Sequence, residues 1–151
     1  MLDENAIIAA IQNCPSREAA TDQARAFLAE HGWFVADQEA FDVMAIHPDG
    51  YRLIIKFWIR AEQVPKFYMK DFDHAVQDFL HKNDLKDNVM VLLLSNTPLD
   101  TEAYTYYKSI ARFTMKVGFL DDISAQLITM QEQVETRGKN VQKQLLQYLA
   151  V

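Results

Sequence analysis

Ile7, Ile8 and Ile11 recur at helical spacing behind Asp3, Glu4 and Asn5, whose side chains suit the open amides of a first turn. The pattern predicts a short leading helix. Pro15 and Ser16 break and recap the chain, and Ala20, Ala24, Phe27 and Leu28 then form an i, i+4, i+7, i+8 stripe that stops before Gly32. This is a second helix with one buried face. Over 33–59 the pattern changes to aromatic and β-branched runs, interrupted at His47-Pro48-Asp49-Gly50, where proline presets a turn and glycine takes the positive φ that closes it. Three strands are predicted there, near 33–36, 41–46 and 51–59.

After Pro65, the positions Phe72, Val76, Phe79 and Leu80 return to helical spacing up to a polar stretch at 82–88. The next six residues, 89–94, are all apolar, the form of a strand covered on both faces. Ser95-Asn96-Thr97-Pro98 turns this strand into a helix capped near Asp100, and the tail is predicted to be helical. Within that tail Ile123, Leu127, Met130 and Val134 step by four, three and four, a coiled-coil seam that Arg137 and Gly138 interrupt before Val141, Leu145 and Tyr148. The seam serves either packing on its own domain or a homodimer through the C-terminal helix.

Composition narrows the class. With 151 residues, 50% hydrophobic, 24% charged, and only four Gly and four Pro, the chain is neither disordered nor low-complexity, and it is long enough for one unstapled core. No apolar run approaches the roughly 20 residues of a membrane helix, and the start MLDENAII lacks a basic leader. A lone Cys14 forms no internal bridge and suits a reducing compartment, so the expected location is the cytoplasm, with no membrane partner. The net charge of −6 argues against a broad basic surface, while leaving room for a local basic cleft.

An Ala-rich helix running into LAEHGWFV is followed by the strand FDVMAIH, the turn HPDG and the strand RLIIKFW. The helix DFDHAVQDFL comes next, then VMVLLLSN and TEAYTYY. Over about 17–111 this succession resembles the α-β-β-β-α-β core of the PD-(D/E)xK nuclease superfamily, and within it the Mrr-type restriction endonucleases and Holliday junction resolvases. The resemblance implies a three-layer α/β fold with a mixed four-stranded sheet, a restriction-endonuclease-like core with extra N- and C-terminal helices. A single domain 1–151 would then comprise a helical extension at 1–16, the core at 17–115 and a helical extension at 116–151.

In such nucleases Mg²⁺ lies between an Asp on one strand and an Asp, Glu or Gln on the next, with a Lys two residues on. Carboxylates hold the hard cation that polarises the phosphate, and the ammonium assists the attacking water or the developing charge. Asp42 and Lys56 match the Asp and the Lys, but Ile54 stands in the place of the second ligand. Strand alternation puts Ile54, Lys56 and Trp58 on one face and Leu53, Ile55 and Phe57 on the other. An isoleucine coordinates nothing, so Asp42 and Lys56 read as a remnant ion pair. A metal site is restored only if another acid joins Asp42: Asp22 on the second helix, or Glu39 or Asp37 from the preceding loop.

Other chemistry finds little support. His74 and His81 are seven apart, beyond the i, i+4 spacing of helical zinc ligands, no Gly-x-Ser-x-Gly surrounds Ser95, and four glycines write no phosphate loop. Lys66, Phe67, Tyr68 and Lys70 before the third helix, with Tyr104, Tyr106, Tyr107 and Lys108 after the central strand, form an aromatic and basic set suited to gripping a partner. The expectation is a catalytically degenerate nuclease-like protein that binds a nucleic acid or a protein and uses no cofactor. The alternatives are an active Mg²⁺-dependent DNA endonuclease with displaced ligands and a protein-only interaction module.

Overall fold

A computed structural model describes residues 4–12, 14–83, 89–110 and 115–120. The helices are α1 (Glu4–Ile11), α2 (Arg17–Glu30), α3 (Lys66–Lys82) and α4 (Thr101–Ile110). The strands are β1 (Phe34–Val35), β2 (Val43–Ile46), β3 (Arg52–Trp58), β4 (Val89–Ser95) and β5 (Met115–Phe119), hydrogen-bonded in that order as a five-stranded sheet. β1, β2 and β3 are antiparallel neighbours, whereas β3, β4 and β5 run parallel through the crossovers α3 and α4. The sheet is mixed, as expected. Among the described residues no helix is long and apolar enough to cross a membrane.

Alternation along the strands divides the core into two layers. Leu53, Ile55 and Phe57 of β3 join Leu92 and Leu94 of β4 beneath Ile7 and Ile11 of α1 and Ala20, Ala24 and Leu28 of α2. Ile54 and Trp58 join Val91 and Leu93 against Met69, Phe72 and Val76 of α3 and Ala103 and Tyr104 of α4. A strand covered on both faces reads as an unbroken apolar run, and β4 does.

The sheet has five strands rather than the expected four, and residues 116–119, expected in the C-terminal helical extension, belong to β5. Met115, Val117 and Phe119 alternate with Lys116 and Gly118 as a strand requires, but the run is only five residues long and its face toward α1 and α2 carries no large apolar residue. Gly118 is required there: a Cβ would lie 2.7 Å from Leu94 Cδ2 and 2.8 Å from Ile8 Cδ1. The seam at 123–134 and its continuation lie outside the described residues.

Local signals end the elements as their chemistry predicts. Ser16 Oγ accepts from Ala19 N–H at 3.1 Å to cap α2, and Asp100 Oδ1 accepts from Ala103 N–H at 2.7 Å to cap α4. Gly50, at φ 94°, closes the β2–β3 hairpin by donating to His47 O at 2.9 Å. β1 and β2 are shorter than predicted because a side chain takes over between them. Gln38 Nε2 donates to Phe41 O at 2.9 Å, and Phe41 N–H donates back to Gln38 Oε1 at 2.8 Å. This fold of the loop sends Phe41 into the core, edge-on to Phe72 and Phe79.

Candidate functional site

The site forms where the β2–β3 ladder ends. The last paired residues are Val43 and Ile55, and one step beyond them the backbone of β2 has turned away from β3. Phe57 therefore keeps an N–H and a C=O that no β2 residue serves. Asp42 Oδ2 accepts the Phe57 N–H at 2.8 Å, and the Tyr68 hydroxyl of α3 donates to the Phe57 C=O at 2.5 Å. Two side chains thus replace one missing rung. Among the described residues no buried side-chain nitrogen or oxygen is left without a partner.

Asp42 meets Arg17, the first residue of α2, with its other oxygen: Arg17 Nε stands 3.4 Å from Oδ1. The carboxylate is nearly buried, 9% exposed, whereas the Arg17 side chain is 59% exposed and keeps a face toward solvent. The ion pair expected between Asp42 and Lys56 is absent among the described residues; Arg17 takes that place. Lys56 instead places its Nζ 5.7 Å from the centroid of the Tyr68 ring.

Tyr68 sits between these charges. Its ring meets Trp58 edge-on at 4.7 Å, and the guanidinium of Arg60 covers Trp58 at 4.8 Å. Burial pushes the Tyr68 phenol up to about 12; the negative charge of Asp42 pushes the same way, and Arg17 and Arg60 pull against both. The loop after β3 is held firmly beside them. Trp58 Nε1 and Thr97 Oγ1 both donate to Glu62 O, at 2.9 and 2.7 Å, and Arg60 N–H donates to Asn96 Oδ1 at 3.0 Å. Lys56 lies against the Tyr68 ring, Arg17 is paired with Asp42 and Arg60 covers Trp58, so three cations and one acid act on this phenol.

These residues do not fit the Mg²⁺ that the nuclease resemblance implies. Ile54 is fully buried in the layer formed with α3 and α4, and both oxygens of Asp42 are engaged. Asp22 lines a different feature, an open groove of about 400 Å³ along α2 with Ala10, Gln23, Phe27 and Glu30. Glu39 and Asp37 are exposed on the loop before β2. Among the described residues no group of three His, Cys, Asp or Glu side chains is placed to hold a metal.

The remaining sequence candidates divide by burial. Lys66, Tyr68 and Lys70, expected before the third helix, belong to the start of α3, because Pro65 sets the extended N-cap directly ahead of them; Lys66 and Lys70 are exposed and Tyr68 is half-buried. Tyr104 is 4% exposed and belongs to the core, with Lys108 Nζ 5.6 Å from its ring, while Tyr107 packs against the same layer. Helical spacing alone could not separate a core-facing ring from a rim. Sequence reasoning missed Arg17 and Arg60, whereas Phe67, named there with Lys66, Tyr68 and Lys70, is exposed. Arg17 had a signal in its place at the start of a helix, but its contact with the strand residue Asp42 is tertiary.

No family model matches this chain, and no curated protein matches it. Among solved structures it is similar to a repair endonuclease from Pyrococcus abyssi, with a TM-score of 0.47 and 14% identity over 80% of this chain and 48% of that one. The chain spans about half the length of that endonuclease.

Proposed function

We propose that this protein is a nuclease-like domain that works by binding a partner, a nucleic acid or a protein, and not by metal-dependent hydrolysis. The observation that carries the reading is the employment of Asp42: it serves the Phe57 amide and Arg17 while Ile54, fully buried, stands where a second ligand is needed. Moving that carboxylate onto a cation would strand a backbone donor, and a single carboxylate is a poor site for an ion that gives up its waters reluctantly. What remains is a cationic cluster of Arg17, Lys56 and Arg60, with Lys66 and Lys70 on the adjoining helix, suited to an anionic partner. No step through a metal is assigned.

The test is Mg²⁺- or Mn²⁺-dependent cleavage of plasmid and branched DNA by the protein, Asp42→Ala and Lys56→Ala. The expected outcome is no cleavage by any folded preparation. Cleavage by the parent chain that disappears in both variants would overturn the reading in favour of an endonuclease with displaced ligands.

A further inference from the structure

Phe67 is 63% exposed on the first turn of α3; among the described residues only Phe34 is a comparably exposed large apolar side chain. A single exposed apolar residue needs no explanation. The charges around Phe67 do. Lys70 follows it at i+3, a neighbour on the helix surface, and Lys66 lies one turn before Lys70, both exposed, so the first turn carries an aromatic ring with a cationic edge. The next residue, Tyr68, lies within the field of Arg17 and Arg60 and beneath the ammonium of Lys56. These cations gather on a chain whose net charge is −6, with Asp71, one turn from Phe67, as the acid on that stretch of helix.

We propose that the first turn of α3 docks an acidic segment of a partner protein, an apolar side chain of that segment resting on Phe67 and its carboxylates facing Lys66 and Lys70. The inference rests on the binding reading above and names its partner. Charge complementarity selects an acidic partner, and an apolar anchor within a charged border is the form of a protein interface. A nucleic acid is less well served: Trp58 is 5% exposed and Tyr68 is half-buried under Lys56, which leaves Phe67 as the single free ring at this place, where a strand of bases calls for successive stacking platforms.

The test uses the full chain and a fluorescein-labelled peptide of alternating glutamate and leucine, followed by fluorescence anisotropy. An all-glutamate peptide and a single-stranded oligothymidylate serve as comparisons. The glutamate–leucine peptide is expected to bind most tightly. Phe67→Ala, and separately the pair Lys66→Gln with Lys70→Gln, each weaken it by about tenfold, and Asp71→Asn strengthens it. Because Phe67 is exposed, Phe67→Ala keeps the parent melting temperature, which separates lost docking from lost folding. No peptide binding, equal binding of the all-glutamate peptide, indifference to Phe67→Ala, or displacement of the peptide by oligothymidylate overturns the proposal. Metal-dependent DNA cleavage by the same preparation instead overturns the binding reading beneath it, so the two failures are told apart.

Discussion

Asp42 divides one carboxylate between a backbone amide and a guanidinium, so its removal has a structural cost that a purely catalytic acid would not show. Asp42→Ala leaves the Phe57 N–H without its acceptor beside a buried strand. A loss of about 1–3 kcal/mol in urea unfolding is expected, with a smaller loss for Asp42→Asn, whose amide oxygen can still accept. Equal stability of Asp42→Ala and the parent would remove the structural role. Asp42 and Lys56 were legible as positions through the resemblance whose motif they match, and strand alternation added only that Lys56 shares a face with Ile54 and Trp58. Their partners were not. Alternation says nothing about where β2 stops, and it is the early end of β2 that gives Asp42 a backbone amide to serve and leaves the ion pair to Arg17.

Between elements, two phenols hold the α3 and α4 layer. Tyr68 ties α3 to β3 through the Phe57 carbonyl, and Tyr106 of α4 donates to Asp73 Oδ2 of α3 at 2.7 Å. Burial, aided by the hydrogen bond and negative charge of Asp73, pushes the Tyr106 phenol up to about 12, as burial and Asp42 do for Tyr68. Each therefore keeps its proton in the folded chain at a pH where the unfolded chain, with a value near 10.0, has lost it. Their stabilisation is complete below pH 10 and is lost as the pH rises through about 12. A spectrophotometric titration should show a late-ionising phase that Tyr68→Phe and Tyr106→Phe each diminish, with the melting temperature of the parent falling over the same interval. A second element-scale prediction concerns β5. Gly118→Val drives methyl groups into Leu94 and Ile8 and should cost about 1–3 kcal/mol by thermal unfolding. The four helices and four of the strands were legible because each carries a strong period or an apolar run. β5 was not read: Met115, Val117 and Phe119 alternate, but over five residues only, and the close approach of α1 admits glycine at 118 where a second apolar face would have strengthened the pattern.

Across the whole molecule, charge and hydrophobicity are distributed differently. The two apolar layers are continuous through β3 and β4, whereas the net charge of −6 is interrupted by the local group of Arg17, Lys56 and Arg60. The α/β class followed from the succession of helical periods and apolar runs, with its three layers implied by the resemblance, but the partner could not follow from the total charge, because net charge averages away a local cluster. The homodimer read from the seam of Ile123, Leu127, Met130 and Val134 lies outside the described residues and is tested at this scale. A dimer built on the seam gives a mass by light scattering that rises with concentration and returns to the monomer value in Leu127→Glu with Met130→Glu; an unchanged mass removes it. One feature of the site also reports on the molecule. The Phe57 amide reaches its acceptor only while Asp42 keeps its position beside Arg17. Release of the carboxylate is thus one opening through which deuterium enters that amide, and Asp42→Ala should label it faster than the parent chain. A single peptide hydrogen then measures how firmly two side chains close the end of a strand.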